Sequence, residues 1–193
     1  MILLYHKTLS EMIEVIRMNE SEYNFIRENI RSIPDYPKKG VIFRDITPLL
    51  KNRKAFSMCI EELAERVRGK HIDYIVGAEA RGFIIGAALA LRLKLGFIPV
   101  RKKGKLPYKK ISKKYELEYG EEEIEIHEDA IEKGDSVLIV DDLLATGGTA
   151  EAVGDLVESL GGRIVGFAFV IELADLNGRE RLGGHEIVTL LKY

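Results

Sequence analysis

The sequence predicts an α/β fold, a central and mostly parallel sheet flanked by helices, and three observations carry that reading. Short apolar runs at residues 72–76, 97–100, 137–140, 163–171 and 187–191 have the length and composition of buried strands. Longer stretches with apolar residues at helical spacing fall between several of them, the alternation that builds parallel sheets. The segments GAEARG, RKKGKLPYKK and DDLLATGGT each follow one of these runs, as ligand loops do at the carboxyl ends of parallel strands.

Taken in order, residues from about 9 to 33 carry Ile13, Ile16, Tyr23, Ile26, Ile30 and Ile33 at mostly helical spacing, which predicts a helix. Pro34 and Pro37 end the pattern and Gly40 follows in a turn-rich segment. Residues 1–17 precede a second methionine, Met18, and read either as a helical addition or as an upstream start; residues 18–193 read as one domain. A second helix fits 54–68, where Phe56, Ile60, Leu63 and Val67 share one face. Further helices fit 83–93 and 149–160. The stretch EEEIEIH alternates in polarity, as a half-exposed strand or ribbon arm does.

Composition narrows the class. Hydrophobic residues at 46% and charged residues at 31% are those of a soluble globular chain. A net charge of -2 is not that of a nucleic-acid binder, so any anion must be held by a local basic patch. One cysteine, Cys59, excludes an internal disulfide framework, and its amphipathic setting predicts core. His6, His71, His127 and His185 show no metal-ligand spacing. No apolar run approaches the roughly 18 residues that span a bilayer. The first residues make a poor signal peptide, so the expectation is a cytoplasmic protein without membrane or nucleic-acid partners.

The most informative segment is VLIVDDLLATGGT, residues 137–149. An apolar strand runs into Asp141 and Asp142, then into Ala145, Thr146, Gly147, Gly148 and Thr149 ahead of a helix. Glycines let the backbone turn and approach an anion, and the helix start presents unpaired N–H groups and the positive dipole end. It is neither a Walker loop nor a GxGxxG fingerprint. Paired acids at a strand end need donors or a cation, and a sugar diol supplies donors. Taken alone, the segment is also compatible with a plain βα turn capped by threonine. Arg81, alone among small residues in GAEARGF, can fork onto a phosphate or can simply be an exposed arginine at a helix start. Residues 101–114 hold eight basic side chains and no acid, either a solvated loop or a flap for an anionic substrate.

VVDD-type acids followed by ATGGT resemble the phosphoribosyl pyrophosphate motif of type I phosphoribosyltransferases, and from Met18 onward the chain is similar to that family. The resemblance implies the type I phosphoribosyltransferase fold, with a small hood at about 34–50 and a flexible basic flap at about 101–120. It implies that Ala145, Thr146, Gly147, Gly148 and Thr149 cradle a 5′-phosphate while Asp141 and Asp142 face the ribose hydroxyls. Glu79, Ala80, Arg81, Arg101, Lys102 and Lys105 become the pyrophosphate side, with a cis peptide at Ala80–Arg81. Lys109, Lys110, Lys113 and Lys114 are then solvent-facing. Catalysis falls to Arg81, Asp142 and Glu118.

The segment VIFRDITP resembles the hood of the adenine-using members. By that likeness Phe43 stacks on the base, Ile42 and Arg44 read its edge through the main chain, and Leu173 covers the opposite face. Without it, Phe43 and Leu173 read equally as core. LEYG, residues 117–120, is similar to the same branch, making Glu118 the acid/base at the purine and Tyr119 an aid to flap closure. The implied reaction is adenine plus phosphoribosyl pyrophosphate to AMP plus pyrophosphate. Mg²⁺ is the implied cofactor, held mainly through substrate and water and near Asp141, and a homodimer is the implied assembly. A 6-oxopurine enzyme and a non-catalytic sensor of phosphoribosyl pyrophosphate stand as alternatives.

Overall fold

In a computed structural model that describes residues 18–117 and 120–193, one sheet organises the chain. Its seven strands run in the order β5-β6-β4-β3-β7-β8-β9. They are β3 (Tyr74–Ala78), β4 (Gly96–Lys102), β5 (Lys110–Leu117), β6 (Gly120–His127), β7 (Ser136–Leu144), β8 (Arg163–Glu172) and β9 (Ile187–Lys192). β4, β3, β7, β8 and β9 are parallel neighbours, and β6 and β5 extend the β4 edge antiparallel. The expected mostly parallel sheet is thus present.

Side chains alternate across this sheet, so each central strand feeds two cores. Leu138 and Val140 of β7 join Ala168 and Val170 of β8 under α3 (Arg53–Arg66) and α4 (Arg81–Leu93). Val137, Ile139, Phe167 and Phe169 face the other way, under α5 (Gly148–Ser159). Strands buried on both faces lose the polar alternation of a surface sheet, and for that reason they read as plain apolar runs. Cys59 is fully buried in the first core, and burial pushes its thiol up to about 12.

The long helix expected over 9–33 is corrected. Residues 1–17 lie outside the described residues, and the helix there is α1 (Glu20–Glu28). Asn19 starts it with a capping box to Glu22, which satisfies helix-start donors on both sides. Ile33 belongs instead to β1 (Arg31–Pro34), paired antiparallel with β2 (Ile42–Asp45) in a small hood sheet. A short helix, α2 (Thr47–Lys51), leads from the hood into α3.

The flap is also more ordered than a solvated loop. Residues 110–117 form β5, in register with β6 so that Tyr115 lies opposite Glu122. Lys110 is half-buried against Glu125 at 3.0 Å, which corrects the solvent-facing expectation for it. Lys113 and Lys114 are exposed but ion-paired, with Asp155 at 2.7 Å and Glu121 at 3.5 Å. In the register Lys114 lies directly opposite Glu123, while Lys110 and Lys113 face His127 and Ile124 and find their acids elsewhere, which a count of basic residues alone does not reveal.

Candidate active site

The carboxyl ends of β3 and β7 and the loop ahead of α5 enclose a cavity of about 460 Å³. Glu79, Ala80 and Arg81 line it from β3, Lys102 from β4, and Asp141 through Thr149 from β7 and the following loop. The structure therefore brings together three segments that lie far apart in the chain, at the position where open α/β sheets bind ligands.

Gly147 takes φ +86° at the helix cap, a conformation that disfavours side chains, and turns the chain into α5. The first helical bond is donated by the Glu151 amide to the Gly147 carbonyl at 2.9 Å. Amides ahead of Glu151 thus have no intrahelical acceptor and converge with the dipole end on one spot. Thr149 adds a hydroxyl.

β7 continues past the last residue paired to β3, Val140, so Asp141 and Asp142 are carried to the rim on a strand held by β8. Gly82 lets α4 approach them: a Cβ there would lie 2.8 Å from Asp141 Oδ1. Asp142 is 3% exposed, and its Oδ2 lies 2.6 Å from Arg81 Nε. Oδ2 is therefore ion-paired to Arg81, through a contact poorly aligned for a hydrogen bond. Burial, then the charge of Asp142, holds the Asp141 carboxyl well above the usual carboxylate range. Burial raises Asp142 too, against the opposing pull of Arg81. Two adjacent carboxyl groups suit sugar hydroxyls or a hard cation shared with ligand and water. Among the described residues no group of three or more His, Cys, Asp or Glu side chains converges as a metal cage.

The expected cis peptide at Ala80–Arg81 is corrected: the cis bond is Glu79–Ala80. Ala80 caps α4 and Arg81 is its first residue, so the bond between them already belongs to the helix entry. Arg81 spans the site, with Asp142 on one side and the Phe43 ring 5.6 Å from its guanidinium on the other. Arg101 does not line the cavity; it lies 3.3 Å from Glu79, whose carboxyl is held below its usual range first by the Lys102 amide and then by Arg101. Lys105 is exposed and away from the lining, because the 102–105 turn carries it outward.

The hood residues flank the cavity rather than line it. Phe43 is half-buried, edge-on to Tyr36 at 5.3 Å, and Ile42 is half exposed. Arg44 lays its guanidinium 4.0 Å from the centre of the Tyr193 ring. Leu173 follows β8 and its amide donates to the Leu144 carbonyl at 2.9 Å. Glu118 and Tyr119 lie outside the described residues.

Tyr115, Glu122 and Phe169 line the cavity without having been singled out from sequence. Counting outward from the Leu117–Gly120 pair puts Tyr115 opposite Glu122, so recognising the hairpin would have found both.

A family model described as the phosphoribosyl transferase domain matches residues 47–187. The adenine phosphoribosyltransferase of Halothermothrix orenii is 59% identical over 167 residues, 86% of this chain and 98% of that protein. That of Thermotoga maritima is 56% identical over 168 residues, 87% of this chain and 97% of its own. Among solved structures, adenine phosphoribosyltransferase from Thermoanaerobacter pseudethanolicus superposes with a TM-score of 0.86 at 54% identity, covering 89% of this chain and 99% of that one. The Saccharomyces cerevisiae enzyme, solved with an imino-altritol bisphosphate and adenine, gives 0.83 at 42% identity, covering 89% and 99%.

Proposed function

This chain belongs to the adenine phosphoribosyltransferase family, and from that premise we propose how its residues join adenine to the ribose of phosphoribosyl pyrophosphate. The reaction yields AMP and pyrophosphate, a purine salvage step. A purine ring nitrogen bonds to the anomeric carbon, the bond from that carbon to pyrophosphate breaks, and the ring passes through an oxocarbenium-like state with inversion.

In this reading the loop Ala145–Thr146–Gly147–Gly148–Thr149 grips the 5′-phosphate through backbone amides and hydroxyls. Asp141 and Asp142 accept from the ribose hydroxyls and favour the positive charge that develops on the ring. Arg81 and Lys102 face the departing pyrophosphate, with Ala80 beside them. Glu79 and Arg101 stand behind Lys102, and Lys105 joins only if the flap moves. Phe43 stacks on adenine, Ile42 and Arg44 offer main-chain groups, and Leu173 closes the other face. Among the described residues β2 pairs with β1 alone in the hood sheet, so no described strand covers its other edge. Glu118 manages the base proton and Tyr119 assists closure.

Mg²⁺ fits the donor set, since the Asp141–Asp142 pair offers hard oxygens beside a cavity with room for water and substrate ligands. When bound it would offset the negative charge that builds on the departing pyrophosphate. A homodimer is the assembly proposed by analogy with the family. No described helix is long and apolar enough to cross a membrane, and a cytoplasmic setting is proposed with it.

The observation that carries the proposal is the buried Asp141–Asp142 pair, with Arg81 2.6 Å from Asp142 Oδ2, in the same cavity as the phosphate-suited helix start. It is tested by pyrophosphate release from phosphoribosyl pyrophosphate with Mg²⁺ and adenine, alongside hypoxanthine, guanine and xanthine. Turnover with adenine, and its loss by 10²-fold or more in Asp142→Asn, is the expected result, the scale of removing one transition-state electrostatic group. Preference for a 6-oxopurine, or release indifferent to Asp142→Asn, would overturn it.

A further inference from the structure

Four side chains of the cavity are linked by hydrogen bonds that converge on Glu122 from both ends. Thr149 Oγ1 donates to the Tyr115 hydroxyl at 3.3 Å, and Tyr115 donates to Glu122 Oε2 at 3.1 Å. At the far end Lys102 Nζ donates to Glu122 Oε1 at 2.7 Å. The outer members are anion-suited groups, one at the helix start and one at the end of β4. The inner two come from β5 and β6 and face each other across the β5–β6 ladder.

We propose that Tyr115 and Glu122 are an internal stand-in for the two anionic groups of the substrate, occupying Thr149 and Lys102 until phosphoribosyl pyrophosphate displaces them. The proposal rests on the functional reading above and adds two positioning residues to it. Each cation near the cavity is matched by its own acid: Arg81 by Asp142, Arg101 by Glu79, and Lys102 by Glu122. Of these acids, Glu122 is the one on β6, the strand paired with β5. Strand alternation turns it to the cavity side, while its neighbours Glu121 and Glu123 meet Lys114 and Lys103 on the outer surface. A dianionic phosphate at the helix start is the stronger acceptor for the Thr149 hydroxyl, so binding there breaks the first link. Pyrophosphate at Lys102 breaks the last. Tyr115 joins the two ends, since its hydroxyl accepts from one and donates to the other. Gly148 lets the flap sit this close: a Cβ there would lie 3.2 Å from the Glu116 carbonyl oxygen.

The Lys102–Glu122 pair is partly solvated, at 53% and 32% side-chain exposure, so its removal has a modest effect. Pairs of this kind correspond to about 2- to 5-fold in an equilibrium. Calorimetric titration of the full chain with inorganic pyrophosphate and Mg²⁺ is the test, in four forms: unaltered, Glu122→Gln, Lys102→Met and the double variant. Glu122→Gln is expected to tighten pyrophosphate by about 2- to 5-fold, and to do nothing further in the Lys102→Met background. Tyr115→Phe is expected to tighten ribose 5-phosphate, read in the same instrument. Unchanged or weaker pyrophosphate binding in Glu122→Gln would overturn the proposal, as would the same gain with Lys102 absent, which marks a long-range charge effect. If the unaltered chain bound no pyrophosphate, the functional reading would fall and this inference with it. A thermal melt of each variant separates these outcomes from loss of fold.

Discussion

Gly178 lies so close to Ala145 that a Cβ on it would sit 2.2 Å from the Ala145 carbonyl oxygen and 3.0 Å from the Gly147 nitrogen. The segment 174–182 is therefore the wall behind the phosphate-suited loop, touching it through bare backbone. That wall is itself fixed, because Arg179 forks onto the buried Glu172 of β8 at 2.6 and 2.7 Å and reaches Thr189 of β9 at 3.1 Å. The sheet thus sets the loop's position from behind, through side chains that never meet a ligand.

Gly178→Ala should consequently displace the loop at Ala145 and Gly147. Overpacking of this kind costs roughly 1–3 kcal/mol, and a displaced loop shows that loss in the affinity for phosphoribosyl pyrophosphate. The expected outcome is a KM for that substrate raised about 10-fold with the KM for adenine little changed, a split that follows from where the Cβ falls. Steady-state kinetics with each substrate varied checks it, and an unaltered KM would show that the wall does not position the loop.

The positions of the strands, of α3, α4 and α5, and of the loop from Ala145 to Thr149 were legible from sequence because each rests on local chemistry. Buried parallel strands are short apolar runs, and a glycine pair ahead of a helix has few other uses. The flap was misread for the opposite reason. What makes residues 110–117 a strand is the register of Lys113, Lys114 and Tyr115 against residues of β6, a pairing invisible in a run of like charges. Gly178 and Tyr193 were missed because their partners, Ala145 and Arg44, lie far away in the chain. Phe43, expected to stack on the base, lies against Arg81, and Lys105, expected on the pyrophosphate side, sits on a turn outside the cavity lining.

Asp141 offers a test in stability rather than rate. Its folded carboxyl, like that of Asp142, titrates above the ordinary 3.8 because it is buried beside another acid. Between the ordinary value and the raised one the folded chain holds protons that the unfolded chain has released. The pair's contribution to stability therefore falls as pH rises through that window and stays low above it. Asp141→Asn removes the penalty. Near neutral pH the variant should melt about 2–4 °C higher, the shift that roughly 1 kcal/mol makes in a chain of this size. The gain should vanish at pH below the ordinary carboxylate range. The difference between the two melting curves is the measurement, since Glu62 and Glu172, whose carboxyls are lowered, slope the other way in both proteins. A variant no more stable at neutral pH would count against a destabilising pair.

Phe43 touches Arg81 on the cavity side and Tyr36 within the hood, so its ring is held in a fixed orientation. A ring stacked on a base contributes about 1–3 kcal/mol by truncation. Phe43→Ala is expected to raise the KM for adenine by about 10-fold or more, and Phe43→Tyr to restore most of it. Equal damage to the KM values of both substrates would instead assign Phe43 a purely structural part, acting through Arg81.

Tyr193 ties the hood to the sheet. Its ring is half-buried, with the Arg44 guanidinium 4.0 Å and the Arg27 guanidinium 5.3 Å from its centre, so one aromatic face group joins β2, α1 and the end of β9. Its amide donates to the Glu172 carbonyl and its carbonyl accepts from the Ala174 amide, both at 2.9 Å, on either side of Leu173. The same residue therefore braces both walls assigned to the base. Cation–π contacts of this kind contribute about 0.5–1 kcal/mol each at partly exposed sites. Tyr193→Leu keeps the apolar bulk and the backbone bonds while removing the ring face. Its expected result is a KM for adenine raised about 2- to 5-fold, the equivalent of one such contact, with kcat and the KM for phosphoribosyl pyrophosphate unchanged. Tyr193→Phe, which keeps the ring, should behave as the unaltered chain. If the phenylalanine variant lost as much as the leucine one, the hydroxyl and not the ring face would be the brace, and the clamp on Arg44 would have no part in base binding.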